Sequence, residues 1–300
     1  MRRVGFLACA ETLPGSAPRR GDAFEHDLEV AALRPAFADR GMDLVEIDWR
    51  APLADFDGLA AVLLGTAWDY QDSAAEFVAR LDALAARGVA ACNPPEVVRW
   101  NLDKRYLRAL ADAGVTVIPT KWHDDPGRAE IVAAMDAFAV DRVVVKRQVG
   151  AGGLGQHSFT RDALPDEGWR MGRAAMIQPF LPAIESEGEF TFVFIGGQFS
   201  HAVQKRPATG EYRVQSLFGG AEAAHYPSEQ DLATAQAVIA ALPFADLLYA
   251  RVDMARLPSD EPAVMECELI EPYLYPDQGP ELGERLAEAL VERLELARLQ

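Results

Sequence analysis

The sequence predicts an α/β protein of two or three compact lobes, the first built on an open parallel sheet. Three observations predict it. Apolar strand-like segments alternate with helical ones over the first hundred residues, a Val-rich strand ending in Lys146 runs straight into a glycine loop, and a late strand alternates Met, Cys and Leu with acids. Three hundred residues, 50% of them hydrophobic, are enough to bury a sizeable core.

Residues 4–8 read as a first strand, 24–40 as a helix, 43–47 and 59–64 as strands, 73–87 as a helix and 89–92 as a short strand, which is the rhythm of βαβ units. Ligands of such sheets gather at the carboxyl ends of strands. Two loops lie there: residues 11–26, rich in Gly, Pro and Arg, and Gly65-Thr66-Ala67-Trp68-Asp69-Tyr70, whose last three residues equally suit an ordinary helix entry. Asn93-Pro94-Pro95 is a break, after which Asn101-Leu102-Asp103-Lys104 leads into a helix ending near Gly114. A second lobe begins at about residue 115 with a strand to 120, a helix over 127–138 and the strand Arg142-Val143-Val144-Val145-Lys146. Strands at 175–180 and 190–195 come next, and Gly196-Gly197 makes a tight hairpin to a strand at 200–204. Leu282, Leu286, Leu290 and Leu294 place a core-facing stripe on the last helix. The expected domains are 1–114, a central lobe 115–186 and a C-terminal lobe 187–300.

A formal net charge of -17 argues against nonspecific binding to nucleic acid or anionic membranes. The basic, then apolar N-terminus is too short for a signal peptide and reads as a strand. No run approaches a membrane span. Cys9, Cys92 and Cys267 are odd in number, widely spaced and set in apolar contexts, which disfavours disulfides and zinc. The chain reads as a reduced, soluble, cytoplasmic protein. Its oligomeric state stays open, a homo-oligomer being compatible with the sequence.

Val264-Met265-Glu266-Cys267-Glu268-Leu269-Ile270-Glu271-Pro272 follows Arg251-Val252-Asp253. On a strand, residues two apart share a face, so Met265, Cys267 and Leu269 are expected to be buried while Glu266 and Glu268 project into a cleft roughly 7 Å apart. With Asp253 on a neighbouring strand, these carboxylates repel unless a hard divalent cation sits between them. The same pattern also suits a solvated sheet face.

Gly150-Ala151-Gly152-Gly153-Leu154-Gly155 matches the dinucleotide fingerprint in letters only. The loop leads into a return strand, Ser158-Phe159-Thr160, and Ala175 stands at the offset where an acid is required, so an NAD-dependent oxidoreductase is disfavoured. A Walker loop fails because Gln156 and His157 occupy the Lys and Ser/Thr positions. A glycine hairpin after Lys146 can instead fold over phosphates and offer backbone N–H groups, although a plain mobile hairpin has the same letters. Lysine is scarce, with only Lys104, Lys121, Lys146 and Lys205, and three of these lie in punctuated motifs suited to an anionic ligand.

Laid in order, Lys104, Val-Val-Val-Lys146 with its glycine loop, Gln178-Pro179-Phe180-Leu181, Glu189-Phe190-Thr191, Arg251-Val252-Asp253 and Glu266-Cys267-Glu268 resemble the ATP-grasp carboxylate–amine ligases. The resemblance covers roughly residues 100–275. Thr66-Ala67-Trp68-Asp69-Tyr70, Asn93-Pro94, the run from Arg99 to Leu107, Ser200-His201-Ala202-Val203 and Glu268-Leu269-Ile270-Glu271-Pro272 are similar to the glutathione-synthetase-like subgroup, which includes the O-ureidoserine cyclo-ligase of D-cycloserine biosynthesis. The fold it implies is α/β: an N-terminal parallel lobe, a central lid lobe and a C-terminal α+β lobe. By that resemblance Lys104 and Lys146 hold ATP phosphates, Gly150, Gly152 and Gly153 form the lid, Gln178, Pro179, Phe180 and Leu181 line the adenine slot, and Glu189 takes the ribose. Asp253, Glu266 and Glu268 are the implied magnesium ligands, with manganese as an alternative ion. Glu268 departs from the Asn of many relatives. Arg251, then Lys205, Arg206 and Arg213, form the implied anion cluster.

The implied reaction is attack of a small carboxylate on the γ-phosphate, giving an acyl phosphate that an amine-type nucleophile displaces, with an intramolecular cyclo-ligase as the narrower form. Partners are then small carboxylate and amine-type molecules. The alternative is an ATP- and magnesium-binding protein without ligase turnover. His201 reads as structural or substrate-facing.

Overall fold

The computed structural model describes residues 1–296. Strand β1 (Arg2–Ala8), helix α1 (Ala23–Asp39), strands β2 (Met42–Asp48) and β3 (Leu59–Thr66), helix α2 (Ala74–Ala86) and strand β4 (Ala90–Cys92) open the chain. The four strands pair parallel in the order β2-β1-β3-β4. Val4, Leu7 and Ala8 are fully buried, as the short apolar run requires. At the end of β3 the backbone turns at Gly65 with φ +46°, where a Cβ would stand 2.5 Å from the carbonyl oxygen of Leu7. Only glycine permits that approach to β1.

Pro94-Pro95, expected as a break, instead opens a helix: α3 (Pro95–Asn101) carries Pro95 in its first turn, where a missing N–H costs nothing. Helix α4 (Tyr106–Asp112) comes next, so Lys104 sits in the turn between two helices rather than at a helix start. The strand expected over 115–120 is a single parallel bridge, Val117 to Val264. Ile118 N–H donates to Val264 O and Val264 N–H to Thr116 O. Pro119 then lacks the N–H to extend the ladder. Strand β5 (Lys121–His123) begins only after it.

The central sheet is antiparallel, in the order β5-β8-β6-β7, with helix α5 (Arg128–Phe138), β6 (Arg142–Arg147), β7 (His157–Thr160) and β8 (Ala175–Pro179). After the short helix α6 (Ala183–Ser186) come β9 (Glu189–Ile195), β10 (Gln198–Arg206), β11 (Ala221–His225), helix α7 (Glu229–Ala241), β12 (Tyr249–Arg256) and β13 (Pro262–Glu268). These strands form an antiparallel sheet ordered β11-β10-β9-β12-β13. Helix α7 has no sharp apolar stripe and escaped the sequence reading; Ser228 caps it by accepting from Asp231 N–H at 3.1 Å. Helix α8 (Leu282–Leu296) buries Leu282, Leu286, Leu290 and Leu294 in the core it shares with α1 and the first sheet.

Two buried asparagines lock the C-terminal sheet to the N-terminal lobe. Asn101 donates to Cys267 O and accepts from Leu269 N–H, at 2.8 and 2.9 Å. Asn93 donates to Tyr249 O and Leu269 O and accepts from Leu248 N–H. Both amides bond backbone through nitrogen and oxygen alike, which fixes the register of the acid-bearing strand. Among the described residues no helix is long and apolar enough to cross a membrane.

Candidate active site

The three sheets enclose a cleft of about 1080 Å³, and a second cavity of about 510 Å³ adjoins it. Strands β12 and β13 pair so that Asp253 stands opposite Glu266 and Arg251 opposite Glu268. All four line the cleft, as alternation along a strand requires. One expectation fails locally. The register shifts between Asp253 and Met254, leaving Met265 without a partner, so Met265 is only partly buried and lines both cavities instead of the core. Cys267 and Leu269 are buried as expected.

Four acids of the cleft, Glu189, Asp253, Glu266 and Glu268, are each held by a cation. Lys104 pairs with Glu266 at 2.5 Å, Lys205 with Glu189 and, at 3.5 Å, with Asp253, and Arg251 with Asp253 at 2.8 Å and with Glu268. Burial pushes the Asp253 carboxyl up, yet Arg251 and Lys205 outweigh it and hold it at about 2. Thr191 adds a hydrogen bond to Asp253 at 2.6 Å. Glu268 goes the other way: burial raises it to about 7, only partly offset by Arg251. Burial opposes the charge of Lys104, but Glu266 more than restores it. Lys146 has no ion pair among the described residues, and burial lowers its pKa. An unpaired, half-buried ammonium beside a glycine loop is a place for an anion.

Among the described residues no three His, Cys, Asp or Glu side chains converge as a ready metal site. Asp253, Glu266 and Glu268 share one wall, each turned toward a side-chain cation. The donor set nevertheless fits magnesium, being all carboxylate oxygen on two adjacent strands.

The glycine loop roofs the cleft. Lys104 Nζ donates to Gly150 O at 2.6 Å, and the Ala151 N–H donates to Gln71 from the first lobe. Gly152 and Gly153 have φ of +61° and +68°, and at Gly153 a Cβ would meet Gln215 Oε1 at 2.8 Å. Gln178, Pro179, Phe180 and Leu181 line the second cavity, and Glu189 lines both it and the cleft. Gln178 is anchored by donating to Thr120 at 3.0 Å.

Two residues of the expected anion cluster are elsewhere. Arg206 is exposed at the end of β10 and donates to Glu187 O, because alternation turns it away from the face that carries Lys205. Arg213 lines the second cavity, paired with Glu211 and stacked 3.5 Å from the Phe218 ring. His201 is buried, bonds Leu274 O at 2.9 Å and lies outside the cleft lining. The cleft also takes Arg20, Asp22 and Glu25 from the loop and helix after β1, Trp68 and Gln71 from the loop after β3, and Glu222, Glu271, Tyr273 and Tyr275. Arg20, Asp22, Glu25 and Trp68 lie in the two strand-end loops singled out from the sequence, and Trp68 and Glu271 lie in runs that carry the subgroup resemblance, whereas Gln71, Glu222, Tyr273 and Tyr275 gave no signal along the chain.

The family described as the N-terminal domain of D-cycloserine synthetase DcsG matches residues 4–93. The cycloserine biosynthesis protein DcsG of Streptomyces lavendulae is 29% identical over 289 residues, covering 89% of this chain and 94% of that protein. The crystal structure of D-cycloserine synthetase DcsG superposes with a TM-score of 0.82 at 27% identity, over 97% of this chain and 99% of that one. D-alanine–D-alanine ligase from Bacillus anthracis, complexed with ATP, shares the fold at a TM-score of 0.65 and 16% identity, over 99% of both chains.

Proposed function

We propose that the chain, similar in sequence and fold to D-cycloserine synthetase DcsG, is an ATP-grasp ligase that activates a small, amino-acid-like carboxylate as an acyl phosphate and closes a C–N bond on it with release of ADP and phosphate. The observation that carries this reading is the pairing pattern of the cleft: Lys146 waits unpaired under the glycine loop while Asp253, Glu266 and Glu268 stand with Arg251 on the opposite wall.

The nucleotide sits with its base in the second cavity, against Gln178, Pro179, Phe180, Leu181 and Met265, its ribose near Glu189 and its phosphates between Lys104 and Lys146. Lys104 reaches both Glu266 and Gly150 O, so a phosphate arriving there draws it off Glu266 and releases that carboxylate. Asp253, Glu266 and Glu268 would hold magnesium, which would supply the positive charge that lets a carboxylate approach the γ-phosphate. Arg251 is aimed by Asp253 and by Tyr273 O, at 3.2 Å, and stabilises the transferring phosphoryl group or the tetrahedral oxyanion. Gly150, Gly152 and Gly153 close over the site and exclude water from the acyl phosphate.

Magnesium-dependent ADP release over a panel of small amino and hydroxy acids, each alone and in pairs, tests this, with Glu266→Gln as control. Turnover with a single compound identifies an intramolecular cyclo-ligase, of which O-substituted serines are the first to try. A strict requirement for pairs identifies an intermolecular ligase. ATP binding with no compound raising ADP release above the control leaves a nucleotide-binding protein and overturns the proposal.

A further inference from the structure

Most acids of the cleft have a partner: Asp22 has Arg20, Glu25 has Ser216, Asp253 has Arg251 and Lys205, Glu266 has Lys104, and Glu268 has Arg251. Glu271 has none for one of its oxygens. It is 6% exposed, lines the cleft, and its Oε2 has no hydrogen-bond partner among the described residues. Its backbone oxygen accepts from the Trp68 indole at 3.0 Å, which fixes the main chain from which the side chain projects. The charged and titratable groups that act on the carboxyl are Glu268, Tyr70, Lys104 and Glu266, all of them at the cleft wall except the buried Tyr70. A buried carboxylate oxygen without a donor is costly, and the cost is recovered when a ligand brings an N–H group.

We propose that Glu271 is the acceptor for an amine of the substrate, and that it selects substrates carrying a free amino group over those in which that group is absent or blocked. This rests on the ligase reading above. Three features support an N–H cation over a second anion. The site lies three residues beyond the metal-facing Glu268, so an anion there meets a wall already negative. Lys104, the cation that acts on it, is engaged with Glu266 and Gly150 O. Burial also raises the carboxyl to about 8, a charge that an approaching ammonium restores.

The test compares wild type with Glu271→Gln on small α-amino acids, their N-acetyl forms and the corresponding hydroxy acids. Three readouts are taken: Mg-ATP binding, ternary binding by calorimetry with a non-hydrolysable ATP analogue, and ADP release. Expected are unchanged Mg-ATP affinity in the variant, at least a tenfold rise in KM for the best amino acid, and loss of the preference for the amino over the N-acetyl form. If the hydroxy or N-acetyl acids serve the wild type equally well, or if the variant keeps the preference, the proposal is overturned and the ligase reading stands. If Mg-ATP binds but no amine-bearing compound binds or turns over, Glu271 is not an amine acceptor. If Mg-ATP itself does not bind, the ligase reading fails, and with it this assignment.

Discussion

Lys104 and Glu266 are ion-paired across the cleft, at 2.5 Å, so the lysine assigned to phosphate neutralises a carboxylate assigned to metal. On the proposed assignments, nucleotide and metal are coupled through one bond: each displaces a partner that the other then takes. Glu266→Gln is expected to bind ATP without magnesium at least as tightly as wild type, because Lys104 is freed and a negative charge is removed. Its magnesium-dependent ADP release should fall by about two orders of magnitude, the scale of losing one electrostatic group in a dry site. Fluorescent-nucleotide binding with and without magnesium, beside a turnover assay, separates the two effects.

Lys205 and Lys146 should behave oppositely. Lys205→Met strips Glu189 and Asp253 of their shared cation and is expected to destabilise the protein by about 3–5 kcal/mol, as breaking a buried pair does. Lys146→Met leaves no acid unpaired, so its stability should stay within about 1 kcal/mol while KM for ATP rises at least about tenfold. Urea melts and ATP titrations of both variants check this.

Gly153→Ala places a Cβ where Gln215 Oε1 stands and forces a left-handed backbone on alanine. The cost is on the order of 1–2 kcal/mol, levied on the closed lid, so turnover should drop roughly tenfold with little change in melting temperature. A large fall in melting temperature without loss of turnover contradicts a lid role.

Glu29 is 2% exposed, its Oε2 has no partner among the described residues, and burial lifts its carboxyl from 4.5 to about 8. The sign comes from proton uptake on folding. Its favourable contribution is complete below about 4.5, diminishes as pH rises toward about 8, by at most about 1.4 kcal/mol per unit, and changes no further above that. Glu29→Gln has no such proton to lose, so its melting temperature should gain on wild type across that window and run parallel above it. Equal pH profiles for the two proteins contradict the assignment.

Arg206→Ala should leave ADP release and ATP affinity within about twofold of wild type, since the side chain is exposed and bonded to Glu187 O away from the cleft. Arg251→Ala, by contrast, should abolish turnover while uncovering Glu268 and Asp253. A large loss of ADP release in Arg206→Ala refutes the placement.

Elements whose chemistry is local were legible along the chain alone. Period-two alternation put Glu266 and Glu268 on one face, four leucines at i, i+4 spacing made a core helix, and the order of lysine, glycine loop and acid strand pointed to the ATP-grasp ligases. Everything that depends on a neighbour across space came from tertiary contacts. Asp253 faces Glu266 only because β12 and β13 pair in that register, and the shift beside Met254 sends Met265 to the cavities rather than the core. Residues 115–120 look like a strand, but their hydrogen-bonding neighbour is Val264, nearly 150 positions away, and Pro119 ends the ladder. Arg206 and Lys205 are adjacent letters with opposite fates, since one residue along a strand reverses the face. Which acids are neutralised and which, like Glu271, keep an oxygen without a partner among the described residues is a property of distances between elements, and no spacing along the chain encodes it.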